Sequence, residues 1–172
     1  MARQLRDAQA NTVWEGTENI IALDVLRSML TAQAHEALLE RVEQALEAAV
    51  EEKVLSDAVD TVASSVADVR TAIAYMGGAD LDTVMLQARR FGDLLADTSE
   101  GALLLEHAAF SLRRDGDARK AAIAHRFARE RLATRPVRGI TSPDRLALDL
   151  FEPIVRYGRI EPGDLANAVS TI

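Results

Sequence analysis

The chain has 172 residues, of which 48% are apolar and 27% are charged, a balance typical of a globular domain and not of a disordered segment. It contains no cysteine, which excludes disulfides, zinc–thiolate sites, iron–sulfur clusters and cysteine nucleophiles. The net charge of −7 opposes general nucleic-acid binding, and no apolar run is long enough to cross a membrane. We therefore expect a cytoplasmic protein that does not insert into a membrane.

Helical periodicity dominates the sequence, because glycine and proline are sparse and apolar residues recur at steps of three and four. The connections are short, which favours antiparallel neighbours. The sequence therefore predicts an all-α fold, a bundle-like antiparallel array of about six to eight helices. The expected elements are the end of a helix at 1–9, a turn at 11–16, helices at 17–30, 34–54, 56–75, 80–97, 99–113 and 117–134, a short helix from Ser142 that is broken at Pro153, and a last helix from Pro162.

One stretch departs from the acidic average. Residues 113–138 contain nine Lys/Arg against three Asp/Glu, a local charge of +6. This positive charge is explained by a pair of helices whose basic faces are simply solvated. Alternatively, it forms a face that binds an anion, either nucleic acid or an acidic partner.

Histidines and glutamates offer few other candidate sites. His35, His107 and His125 each lie within a helical stretch, where a solvated or hydrogen-bonded histidine is the ordinary interpretation. A row of glutamates recurs at helical spacing but lacks the Glu-x-x-His pattern of a di-iron site, so we predict a solvated face and no metal. These glutamates are Glu36, Glu40, Glu43 and Glu47.

The segment before the first complete helix combines several features of a ligand site. Glu15 follows an aromatic residue, Trp14, and precedes Gly16, which allows a ligand to approach the backbone closely. Thr17 is a candidate N-cap, and the free N–H groups at a helix start favour an anionic or electron-rich ligand. A plain helix–turn–helix is the structural alternative.

The same segment resembles the end of the conserved body of the flavin-dependent acyl-CoA dehydrogenases, in which an aromatic-Glu-Gly-Thr turn presents the catalytic glutamate. The matching residues are Arg-Asp-Ala at 6–8, Trp-Glu-Gly-Thr at 14–17, Asn-Ile at 19–20 and Leu-Asp-Val-Leu-Arg at 23–27. The tryptophan and the Leu-Asp-Val-Leu-Arg run are most similar to the AidB-like branch, which has an additional helical region after the dehydrogenase body. The resemblance covers about residues 3–30. It implies that residues 1–30 end the dehydrogenase helical domain and that residues 31–172 form a helical C-terminal extension.

The resemblance implies roles for four residues of this segment. Glu15 matches the general base that removes the α-proton of the acyl-CoA while a β-hydride passes to FAD. Its backbone N–H matches a donor to the thioester enolate. Gly16 matches the position where the substrate passes close to the main chain. Thr17 and Asn19 match positions that contact FAD in many members, with Asn19 replacing the usual glutamine.

Most of the dehydrogenase body has no counterpart in these 172 residues. The strands that hold the flavin and most helices that line the acyl pocket are absent, so we expect the isolated chain to be inactive and to bind FAD poorly. Apolar residues that the body would cover should then form an exposed patch, which favours a homo-oligomer or docking onto a separate dehydrogenase body. They are Val13, Trp14, Ile20, Ile21, Leu23 and Leu26.

Three functions therefore remain open. The first is the C-terminal region of an acyl-CoA dehydrogenase, which oxidises acyl-CoA with FAD only when the body is supplied. The second is a helical module for oligomerisation or interaction. The third is nucleic-acid binding by residues 113–138, as implied by the AidB-like resemblance. We expect the first to be the evolutionary identity of the chain and the second to be its behaviour in isolation.

Overall fold

A computed structural model describes residues 6, 18–134 and 146–170. Within these residues the structure is helical and contains no strand, which confirms the predicted all-α fold. The elements are α1 (Glu18–Ala32), α2 (Ala34–Glu47), a 3-10 turn (Lys53–Leu55), α3 (Ser56–Gly78), α4 (Leu81–Asp115), α5 (Arg119–Phe127) with a π-helical turn (Ala128–Leu132), α6 (Leu146–Asp149), α7 (Phe151–Val155) and α8 (Pro162–Ser170).

The longest element, α4, corrects the sequence prediction, which placed two helices at 80–97 and 99–113. It is one helix of 35 residues. The predicted break fell on Thr98 and Ser99, but their hydroxyl groups donate to the carbonyl oxygens of Leu94 and Leu95, each at 2.7 Å. Because these polar side chains bond within their own helix, they do not end it.

The ends of α4 follow from local chemistry, as the sequence predicted. Asp80 caps its start, accepting a hydrogen bond from the Thr83 backbone N–H at 2.9 Å. This bond and one from the Thr83 hydroxyl group lower the pKa of the Asp80 carboxyl group. At the other end Gly116 adopts a φ of 69°, the left-handed conformation that glycine provides at helix C-termini.

The core is built mainly from alanine and aliphatic side chains around α4. Helices α1, α2, α3 and α5 all pack on α4. Leu105 of α4 and Leu55 of the 3-10 turn are among the largest fully buried side chains. Gly101 lies where a Cβ atom would be only 3.1 Å from side-chain carbons of Val62 and Leu132, so the helices approach closely there.

The C-terminal helices are attached to the bundle through the turn that follows α4. The carboxylate of Asp117 accepts hydrogen bonds from the backbone N–H groups of Arg119 and Ile160, at 2.9 and 3.1 Å. The Ala118 N–H donates to the Ile160 carbonyl oxygen at 2.8 Å.

The predicted break at Pro153 lies three residues earlier, at Leu150. Pro153 does not break α7, because it lies in the first turn of that helix, where the N–H group that proline lacks is not needed.

Among the described residues, none of the helices is both long and apolar enough to span a membrane.

The central position of α4 generates a stability prediction. Leu105→Ala should lower the free energy of unfolding by roughly 2–5 kcal/mol, because it removes a fully buried side chain and leaves a cavity. Leu103→Ala is the matched control, since Leu103 lies on the same helix and is 46% exposed. Urea unfolding measures both. Equal losses for the two variants would contradict the assigned core.

Candidate functional site

The predicted catalytic turn lies outside the described residues. Glu15, Gly16 and Thr17 all fall there, as do Val13 and Trp14. Asn19 lies in the first turn of α1, but its side chain is not among those described. The roles implied for these residues therefore stay predictions.

Helix α1, which follows residue 17 directly in sequence, has one buried and one exposed face. Ala22 and Leu26 are buried, and Ala22 packs over Gly92 of α4, where a Cβ atom would lie 3.9 Å away. Leu26 therefore does not belong to the predicted exposed patch, because it lies on the face that packs on the bundle. Ile20, Ile21 and Leu23 are exposed as predicted, and Leu30 is 75% exposed.

These exposed residues include a regular seam along α1. Ile20, Leu23, Arg27 and Leu30 are spaced by three, four and three residues, which is the spacing of helix–helix contacts in coiled coils. All four side chains are exposed in the structure. A helix with an apolar face on each side is expected to have protein on both sides.

Five arginines in the described part of the basic stretch pair with carboxylates, two of which, Glu52 and Asp97, lie outside the stretch. Arg131 makes two hydrogen bonds to Asp97 of α4, at 2.9 and 3.1 Å, and these raise the pKa of the Arg131 guanidinium group. Four more arginines of the stretch have carboxylate partners: Arg113 with Glu52, Arg114 with Asp115, Arg119 with Asp117 and Arg126 with Glu130. A phosphate ligand would have to displace these partners.

The three histidines occupy different environments. His125 is buried, and its Nε2 lies 2.6 Å from the carbonyl oxygen of Val54. Because a carbonyl oxygen can only accept, the Nε2–H group is the donor of this hydrogen bond. His107 is exposed. His35, in the first turn of α2, is half-buried, and its Nδ1 atom is buried without a hydrogen bond.

The predicted glutamate face is exposed on α2, and Glu43 forms an ion pair with Arg70 of α3. In the part of the chain that the structure describes, no cluster of three or more His, Cys, Asp or Glu side chains is placed to hold a metal ion.

A cleft that the sequence did not predict lies beside the α1–α2 junction. It has a volume of about 490 Å³ and lies between α1, the start of α2 and the corner where α3 meets α4. Its walls include Leu26, Met29, Ile73 and Met76, and His35 is one of its polar residues. A second, more polar groove of about 690 Å³ lies on the other side of α1 and also reaches His35.

Comparison with known families assigns most of this structure. Residues 33–149 match the family model described as Acyl-CoA dehydrogenase 11 C-terminal domain-like. The chain belongs to this family. The matched region begins at the α1–α2 junction and ends with α6, so the long helix α4 and its neighbours α2, α3 and α5 form the family domain.

A curated relative supports the same assignment. The acyl-CoA dehydrogenase family member 11 of Caenorhabditis elegans is 34% identical over 116 residues, which cover 62% of this chain and 18% of the relative. The match thus spans less than a fifth of that protein's length. No solved structure matches the chain.

The ion pairs of the basic stretch predict that this domain binds DNA weakly. A short duplex should bind no more tightly than in typical non-specific complexes, whose Kd is about 10⁻⁴–10⁻⁶ M at physiological salt. Asp97→Asn should strengthen binding, because it releases Arg131. Asp93→Asn, on the same helix, is the control for the change in net charge. Fluorescence anisotropy at several salt concentrations measures this. Tight, steeply salt-dependent binding of the unaltered chain would contradict the prediction.

Proposed function

We propose that this chain is the C-terminal part of a flavin-dependent acyl-CoA dehydrogenase and that its first 30 residues complete the active site of the dehydrogenase body. The observation that carries the proposal is the exposed seam of α1 in a chain whose other helices form an acyl-CoA dehydrogenase C-terminal domain. The Trp-Glu-Gly-Thr turn at 14–17 immediately precedes this helix.

Helix α1 supports the proposal because one of its faces packs on the bundle and another is exposed and apolar. Its buried face, with Ala22 and Leu26, is fixed on α4. A second face carries Ile20, Leu23 and Leu30, which are exposed, and Leu30 also borders the cleft that Leu26 and Met29 line. A dehydrogenase body that packed on this seam would hold the start of α1, and with it the preceding turn, in a defined position.

In the complete enzyme Glu15 would remove the α-proton of the acyl-CoA. A carboxylate is a strong enough base for this weakly acidic C–H only where water is excluded, and the body would provide that enclosure. The backbone N–H of Glu15 would donate to the thioester oxygen as negative charge develops there. Gly16 would leave room for the substrate beside the main chain.

The cofactor implied by the family is FAD, with Thr17 and Asn19 as its contacts on this chain. The described residues at the start of α1 do not fit FAD by themselves. The FAD pyrophosphate is anionic, and the exposed charges there are the carboxylates of Glu18 and Asp93, with one guanidinium group, Arg89, between them. We therefore propose that the isolated chain neither binds FAD nor oxidises acyl-CoA.

Complementation tests the role of Glu15. An acyl-CoA dehydrogenase body truncated before its own aromatic-Glu-Gly-Thr turn should bleach its flavin with octanoyl-CoA only after this chain is added. Glu15→Gln should slow the bleaching by about 10²–10⁴-fold, because it removes the base. Glu18→Gln is the control, since Glu18 is exposed and paired with Arg89. If the unaltered chain gives no gain, or if the two variants behave alike, the proposal fails.

The AidB-like branch is the finer assignment that we propose. It rests on Trp14 and on the Leu-Asp-Val-Leu-Arg run at 23–27. Nucleic-acid binding by the basic stretch would follow from this branch, but the carboxylate partners of its arginines favour the dehydrogenase role. A helical interaction module is the second candidate function, and the exposed seam of α1 favours it directly.

The seam predicts where a partner binds. Leu30→Glu should weaken binding of the chain to the truncated body by at least about tenfold, because it places a charge in an apolar contact. Leu148→Glu is matched to it, since Leu148 lies on α6 and is 72% exposed against 75% for Leu30. Isothermal titration calorimetry measures both. If Leu30→Glu instead converts a dimer of the isolated chain to a monomer in sedimentation, the seam serves self-association. If both variants bind normally, the seam is not the contact.

A further inference from the structure

The cleft at the α1–α2 junction has the composition of a small-molecule site. Its volume of about 490 Å³ lies within the range of about 300–1,000 Å³ that is usual for ligand pockets. Apolar side chains come from three elements: α1, the end of α3 and the start of α4. No Asp, Glu, Lys or Arg is among its lining residues. The cleft therefore offers an apolar interior without a charge to recognise.

Two polar residues, the half-buried His35 and the exposed Gln33, lie in this apolar lining. His35 has a buried Nδ1 atom without a hydrogen bond, an arrangement that is rare in proteins. Rotation of the ring about χ2 is a soft motion that exchanges Nδ1 with a carbon atom, so this nitrogen can be turned towards a ligand. Gln33, the residue between α1 and α2, makes no side-chain capping bond to α2.

We propose that this cleft binds a small uncharged molecule that has an extended apolar body and one hydrogen-bonding head. The apolar body would lie against Met29, Ile73 and Met76, and the head would bond to His35 and Gln33. A charged head is disfavoured, because the lining provides no opposite charge to offset the cost of removing it from water. This site does not depend on the flavin chemistry proposed above.

Two adjacent glycines make the proposal testable without disturbing the fold. Gly77 lines the cleft, whereas Gly78 is not among its lining residues. At both positions an added Cβ atom meets nothing within 4 Å, and neither residue has a positive φ. Gly77→Leu should therefore place a side chain at the cleft and obstruct ligand binding, and Gly78→Leu should make the same chemical change next to the cleft.

The probes are decanamide and decanoate, which have the same chain and differ in the charge of the head. We expect the full chain to bind decanamide at least about tenfold more tightly than decanoate in calorimetry. Gly77→Leu should abolish decanamide binding, and Gly78→Leu should retain it. His35→Phe should weaken it about tenfold, the effect of one lost hydrogen bond to a buried partner. Unchanged urea midpoints would show that the variants are folded.

Three results would overturn the proposal. They are the absence of decanamide binding, equal binding by the two glycine variants, and equal affinity for decanoate. If decanamide does not bind and Gly77→Leu also changes the sedimenting mass, then a second copy of the chain covers the cleft instead of a small molecule.

Discussion

The close packing of four helices on α4 is the constraint on which the rest of the structure depends. A helix that is covered on several sides must present small residues, because bulky ones would hold its neighbours too far away. Ala102, Ala108 and Ala109 are fully buried on α4, and Gly101 allows the closest approach. Each alanine buries little apolar area, so the larger anchors such as Leu105 carry a large share of the hydrophobic stabilisation. With only 4% aromatic residues, the chain obtains a core from many close helix contacts instead of from a few large side chains.

The sequence allowed much of this architecture to be predicted, because helix ends depend on local chemistry. The end of α4 before Gly116 could be predicted from glycine alone, whereas α3 continues through Gly77 and Gly78, beyond its predicted end at residue 75, because neither glycine adopts a positive φ. The uninterrupted α4 was missed because Thr98 and Ser99 stop a helix in some settings and are tolerated in others. Which of these applies is decided by tertiary contacts: the Thr98 hydroxyl group also lies 2.6 Å from that of Ser65 in α3, and both residues are buried. A pattern read along one chain does not contain such a pair.

The candidate sites also differ in whether they depend on neighbouring residues of the sequence or on contacts that form only after folding. Trp-Glu-Gly-Thr at 14–17 is a contiguous motif, so it could be found in the sequence. The cleft could not, because its walls come from helices that are far apart in the chain and meet only after folding. The basic stretch was visible as a net charge, but its partners Glu52 and Asp97 lie outside it in sequence. A local charge count therefore overstates the positive potential that a nucleic acid would meet at residues 113–138.

Helix α1 connects these observations, because it borders both the exposed seam and the cleft. It lies outside the residues that match the family model, and it packs mainly on α4 through one narrow face. The other side of the helix carries exposed apolar side chains, and none of the described residues covers them, so their burial against a partner would add hydrophobic stabilisation to α1. A protein packed on the seam would supply it and would also fix one wall of the cleft, since Met29 and Leu30 line that cleft. Occupation of the seam and of the cleft should then be coupled, because each would hold α1 in the position that the other requires.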